Sequence, residues 1–129
     1  MTADATSQPT KPELEILKLL WRAKQLSARE IADEIAEALG WSYSTLRTVL
    51  ERMVDKGLLS RRPVDGVNVY AAAVGKVALL GRMIHDFSDR VLELDAAPPA
   101  VFFAQSKLLT EDELEELEKV LRAAEESKS

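Results

Sequence analysis

The sequence contains no cysteine, which removes disulfide frameworks, thiolate metal sites and thiol redox sensing, and fits a reducing cytosol. It contains a single histidine, His85. With no second His or Cys at ligand spacing, His85 is read as structural or solvated rather than as a metal ligand or a catalytic base. No apolar run approaches the roughly 18 residues that a membrane span requires. Residues 1–8 carry no basic cluster followed by an apolar stretch, so no secretory leader is expected. The chain is read as soluble and cytoplasmic, without direct membrane binding. It also lacks a Gly-rich phosphate loop, a nucleophile motif and a paired acid and base, so no catalytic residue and no cofactor is expected and the chain is read as a non-enzyme.

Against these absences stand 129 residues that are 47% hydrophobic and 30% charged. That balance belongs to a folded protein. The length suits one modest core, or a small domain with an oligomerising extension. The formal net charge is -5, which on its own argues against a polyanionic partner. Its distribution removes the objection. Residues 1–74 hold 10 Lys and Arg against 10 Asp and Glu, whereas residues 75–129 hold 7 against 12. Within residues 42–62, Arg47, Arg52, Lys56, Arg61 and Arg62 face only Glu51 and Asp55. Local potential, not net charge, decides where a polyanion docks.

Along the chain, Thr10 with Glu13 forms a capping box and Pro12 sits in the first turn of a helix whose apolar face is Leu14, Leu17 and Leu20. A second capping box, Ser27 with Glu30, opens a short helix that carries Ile31, Ile35 and Leu39 and stops at Gly40. Ser42 caps a third, running to about Lys56, with Leu46, Val49, Leu50 and Met53 at i, i+3, i+4 and i+7. From Leu58 the period falls to two. Residues 58–64 and 67–73 read as strands around Asp65-Gly66, a hairpin turn pair, with Pro63 marking the first as an edge strand. Three helices and a hairpin in this order predict a winged helix-turn-helix over residues 10–74, after a flexible tail at 1–9.

The second half predicts a helical dimerisation domain at 75–126, with residues 127–129 fraying. Residues 76–94 carry Leu80, Ile84, Phe87, Val91 and Leu94 at alternating steps of four and three, until Pro98-Pro99 breaks the chain. A short apolar helix at 100–106 follows. Thr110 with Glu113 then caps a last helix with a seam of Leu114, Leu117 and Leu121. These two seams either join two copies or close on one chain as a small bundle. Two-fold operators demand paired half-sites, which favours the dimer. The carboxylates of residues 111–118 read as a solvated face at a helix N-terminus, with a cation site as the alternative.

Successive helical residues rotate by about 100°. In the third helix this gathers Leu46, Val49, Leu50, Met53 and Val54 on one face and leaves Ser44, Thr45, Arg47, Thr48, Glu51 and Arg52 on the other, with Ser42 and Tyr43 at the N-terminal end. A recognition helix needs this arrangement, an apolar back and a polar front able to reach base edges. Ser44, Thr45, Arg47 and Thr48 are the expected base readers, followed by Ser42, Tyr43 and Arg52. Ser27, Lys56, Arg61 and Arg62 are the expected phosphate contacts. An ordinary solvated amphipathic helix is the alternative, against which the basic strand at Arg61 and Arg62 argues.

These residues also carry a resemblance. The stretch WSYSTLRTVLERMVDKGLL at 41–59 resembles the recognition-helix signature of the penicillinase repressors, the BlaI/MecI family. LEILKLLW at 14–21, VNVY at 67–70 and LTEDELEEL at 109–117 are similar to that family's first helix, second wing strand and last helix. The resemblance implies a homodimeric repressor on a palindromic operator in double-stranded DNA. It further implies release by cleavage between the last two helices, triggered by a membrane metalloprotease sensor. The cleaved position falls at Phe102-Phe103, where the family usually has asparagine before the cut and this chain has Phe102. The related copper-responsive repressors use a C-terminal cysteine site, which a cysteine-free chain cannot form. Two other readings remain open, a winged helix that responds to a small molecule and one used only for protein contacts.

Overall fold

A computed structural model describes residues 8–128. The expected tails fall largely elsewhere, since residues 1–7 and 129 lie outside the described residues. The chain divides into two units between Val74 and Gly75.

The first unit runs α1 (Lys11–Ala23), β1 (Leu26–Ser27), α2 (Ala28–Leu39), α3 (Tyr43–Asp55), β2 (Leu59–Val64) and β3 (Val67–Ala72). Its helix starts are set locally. Thr10 Oγ1 accepts from the Glu13 amide at 3.3 Å while Glu13 Oε1 accepts from the Thr10 amide at 2.9 Å. Ser27 and Glu30 repeat the exchange at 3.1 and 2.8 Å, so two otherwise orphaned amides are satisfied at each start. Gly40 ends α2 at φ 72°, a left-handed conformation that glycine adopts without steric cost. Only Trp41 and Ser42 then separate it from α3, which gives the helix-turn-helix its tight corner.

Asp65 and Gly66 both take positive φ, 52° and 80°, as a two-residue primed turn requires. That turn sets the register of β2 against β3, from Leu59 opposite Ala72 to Val64 opposite Val67. The sheet order is β1-β3-β2. Pro63 therefore lies on an outer strand, where its missing N–H is tolerated. The first strand, β1, was not expected, since two residues are too few to carry a period. It pairs Leu26 with Tyr70 and Ser27 with Val69. Fully buried Ile16, Leu17, Ile31, Leu46, Leu50 and Met53 supply the unit's apolar interior, and the Trp21 indole N–H donates to the Val74 carbonyl at 3.0 Å.

The second unit comprises α4 (Lys76–Asp86), a π-helical turn (Phe87–Val91), a 3-10 turn (Ala100–Phe103) and α5 (Glu111–Lys128). Here the expected boundaries need correction. The helix predicted over 76–94 leaves α-geometry after Asp86. The Leu92 amide bonds to the Phe87 carbonyl five residues back and Leu94 to Ser88 six back, and Glu93 at φ 55° turns the chain out of the helix. Phe87 itself still bonds to Met83 and lines one groove with Leu80 and Ile84, and the wider turn beyond it moves Val91 and Leu94 off that seam. The helix expected at 100–106 is a single 3-10 turn. The last helix keeps its capping box, Thr110 with Glu113, and spans Glu111–Lys128.

Leu117 and Leu121 require the larger correction. Both are fully buried within their own unit, packed with Val77, Ala97 and Ala100 and flanked by Ile84 and Phe103. They close the unit on itself and do not form an outward seam. Three side chains of α5 hold the returning segment. Glu125 accepts from the Ala97 amide at 2.7 Å, Glu118 accepts from the Ala100 amide at 2.8 Å, and Arg122 donates to the Ala97 and Pro98 carbonyls. Glu118, and Glu113 through its cap and its ion pair with Lys76 at 3.1 Å, are thus engaged in structure. Among the described residues no group of three His, Asp or Glu side chains is arranged to hold a metal.

Candidate nucleic-acid interface

The α3 helix is two-sided. Leu46, Leu50 and Met53 are 0% exposed, whereas Ser44, Thr45, Arg47, Thr48 and Arg52 all lie on the surface. The exposed side borders a shallow depression of ≈ 500 Å³ that runs from Tyr43 to Asp55. Ser42 sits at the N-cap, where its hydroxyl accepts from the Thr45 amide and donates to Thr45 Oγ1, both at 3.1 Å. It fixes the helix start and has little left for a base edge. Thr48 donates its hydroxyl to the Ser44 carbonyl at 3.1 Å, which leaves its oxygen lone pairs and methyl group as the available features. Among the described residues, Arg47 and Arg52 make no ion pair.

Tyr43 is half-buried and organises the N-terminal end of this face. The Arg29 guanidinium lies over its ring at 3.9 Å from the centroid, and that of Arg47 at 6.0 Å. Cation–π contacts of this kind hold a long side chain in place without neutralising its charge. Arg29 was not among the expected contacts. It belongs to α2, and only the helix-turn-helix corner brings it to Tyr43, so no local pattern announces it. A small cleft of ≈ 190 Å³ joins Ser27, Arg29, Tyr43 and Arg47 to Asn68 on β3.

Two of the expected phosphate contacts are otherwise engaged. Lys56 Nζ donates to Glu13 Oε2 at 2.7 Å, so this cation faces a carboxylate that is only 6% exposed. Burial pushes the Glu13 carboxyl up. The Lys56 ammonium and the Thr10 amide outweigh it and hold the group below its usual value. Arg61 is ion-paired with Glu51 of α3. Glu51 accepts on its other oxygen from the buried Tyr70 hydroxyl at 2.6 Å. The Tyr70 bond and the Arg61 guanidinium lower the Glu51 carboxyl, and burial with the adjacent carboxylate pushes the Tyr70 phenol up to about 12. Arg62 reaches Gln25 Oε1 at 2.9 Å and stays exposed. Ser27, engaged in its cap, keeps only its hydroxyl proton to offer.

The family model described as penicillinase repressor matches residues 9–123. The chain belongs to the penicillinase repressor family. It is 27% identical to the methicillin resistance regulatory protein MecI of Staphylococcus aureus strain N315 over 116 residues, 90% of this chain and 94% of that one. It is 25% identical to the penicillinase repressor of Bacillus licheniformis over 114 residues, 88% and 89% of the two chains. Family and fold agree, since the matched region spans both units.

In the second unit, Phe87, Val91, Leu92 and Leu94 are 41–59% exposed, and Val101 and Phe102 are 69% and 72% exposed. Beside them Leu80, Met83, Ile84, Phe87, Leu92 and Phe103 line an almost wholly apolar groove of ≈ 360 Å³. Leu114 is half-buried. His85 is half-buried on α4, and its Nε2 has no hydrogen-bond partner among the described residues. No helix among the described residues is long and apolar enough to cross a membrane.

Proposed function

We propose that the protein is a transcriptional repressor that binds a palindromic operator in double-stranded DNA as a homodimer. The observation that carries this reading is the exposed front of α3, where Ser44, Thr45, Arg47, Thr48 and Arg52 stand clear of a helix back anchored by fully buried Leu46, Leu50 and Met53. In the proposed complex that front enters the major groove. Arg47 pairs with guanine and the hydroxyl residues serve bases or phosphates. Arg62 on the hairpin and Arg29 beside Tyr43 take phosphates. The names of the relatives, a penicillinase repressor and a methicillin resistance regulator, support repression over activation.

The second copy docks on the apolar surface of the second unit. Phe87, Val91, Leu92 and Leu94 are available for it, together with the groove beside Leu80 and Ile84, while Leu117 and Leu121 are already enclosed. Large apolar side chains grouped at this exposure mark an association surface. Relief by proteolysis, with a membrane metalloprotease sensor upstream, is the mode in which the family resemblance places the cut at Phe102-Phe103. Phe102 is exposed, but Phe103 packs on the unit's interior and the turn is pinned to α5, so cleavage there requires the turn to open first. Scission would free α5 and with it Leu117 and Leu121, unmaking the unit that joins the copies.

The test is binding of the full chain to duplexes selected from a random library. A recovered palindrome whose half-site centres lie about one helical turn, or a multiple of one, apart supports the reading. Recovery of no preferred sequence, or binding that salt does not weaken, rejects it.

A further inference from the structure

Glu51 is the one carboxylate in the middle of the α3 front, bordering the same depression as Arg47 and Arg52. An acidic side chain there has two simple roles, accepting a hydrogen bond from a cytosine amino group or repelling phosphate. Its bonding fits neither. Oε1 holds Arg61 of β2 and Oε2 accepts from the hydroxyl of Tyr70 of β3, whose side chain is 1% exposed. The side chain thus spans from the recognition helix to both strands of the hairpin, and each of its oxygens already holds one bond before any base approaches.

We infer that Glu51 is a positioning residue that latches the hairpin to the recognition helix and keeps Arg61 out of the phosphate-binding set. The inference rests on the DNA-binding reading above and adds a specificity device to it. An arginine on a wing strand beside a recognition helix attracts any duplex, whatever its sequence. A carboxylate paired with it cancels that attraction and leaves Arg47, whose charge the base edges can use. The second anchor matters as much. Tyr70 is fixed in the interior, so its bond sets the Glu51 side chain in one place, and Arg61 and β2 are held through it. The hairpin then presents Arg62 at a fixed angle to α3.

The experiment compares wild type, E51Q, R61A and the double variant E51Q/R61A for binding to random-sequence duplex over a salt series. Glutamine keeps an acceptor for Tyr70 and removes the charge that holds Arg61. In E51Q the affinity for random duplex should rise about fivefold near 0.1 M salt, and the slope of log K against log salt should steepen by about 0.9, the signature of one added phosphate contact. R61A should keep the wild-type slope, and the double variant should show no gain over R61A. A gain that persists in the double variant would mean that Glu51 repels phosphate directly. A loss confined to duplexes with cytosine at one position would make it a base reader. No change in E51Q would mean that Arg61 is not restrained. Each of these overturns the inference.

A second measurement needs no DNA. In the free protein the backbone heteronuclear NOE of residues 61–70 should fall in E51Q and in Y70F. Unchanged values would refute the latch even if no duplex bound to the wild type. Failure of the wild type to bind any duplex would refute the DNA reading itself.

Discussion

Arg47 and Arg61 carry the same charge on neighbouring elements, and their surroundings differ. Arg47 has a tyrosine face near it and no carboxylate paired to it, whereas Arg61 is paired to Glu51. Arg47→Ala should therefore cost about 1–3 kcal/mol on the operator and relax preference at one base pair, while Arg62→Ala should weaken all duplexes alike. Competition binding with single-site operator variants separates the two. The exposed position of Arg47 on α3 is legible from the sequence, because it follows from the helical period. The engagements of Lys56 and Arg61 are not, because their partners lie 43 and 10 residues away and across elements. Glu13 offers a test by pH. Its carboxyl is lower in the folded protein than in the unfolded chain, so its contribution to stability is present above the usual carboxylate pKa and is lost as pH falls through the folded value. The gap in melting temperature between wild type and Glu13→Gln should be open at neutral pH and close in acid. A gap independent of pH would assign the effect to packing.

At the scale of elements, what depends on near neighbours in sequence is legible and what depends on distant ones is not. Three capping boxes, the Gly40 corner and the Asp65-Gly66 turn are each set within a few residues. The outward register of α3 follows from its 3.6-residue period. The length of α4 departs from the expected one for the converse reason. Its apolar spacing continues past Asp86, but the backbone widens at Phe87 and turns at Glu93, and the returning segment is fixed by side chains of α5 more than 15 residues further on. The same pairing of α4 with α5 explains Gly81. A Cβ at that position would sit 2.6 Å from Val120 Cγ1. Gly81→Ala should therefore destabilise the protein by about 1–3 kcal/mol of overpacking, less the roughly 1 kcal/mol by which alanine is the better helix former. Chemical denaturation with and without Val120→Ala checks it, since the smaller neighbour should relieve the strain.

For the molecule as a whole, charge and exposed apolar side chains are both unevenly divided between the two units. The first unit is neutral overall, with cations concentrated on α3 and the hairpin. The acidic second unit keeps Phe87, Val91 and Leu92 outside its interior. A charged substitution at Phe87, such as Phe87→Glu, should convert a dimer to a monomer in sedimentation equilibrium while leaving the helical circular dichroism unchanged. Operator affinity should fall steeply with it, because one half-site alone binds weakly. The charge asymmetry could be read from composition. Which leucines are enclosed could not, since Leu117 and Leu121 have the same spacing as an outward seam and only the return of the chain through Ala97 and Ala100 covers them.

The most direct measurement is a footprint on the promoter of the protein's own operon, with wild type and Arg47→Ala side by side at the same salt. Wild type should protect a palindrome over two half-sites centred on one face of the duplex, and Arg47→Ala should lose that protection while retaining non-specific binding. Equal protection by both proteins, or none by wild type, would contradict the assignment of the α3 front as the surface that reads DNA.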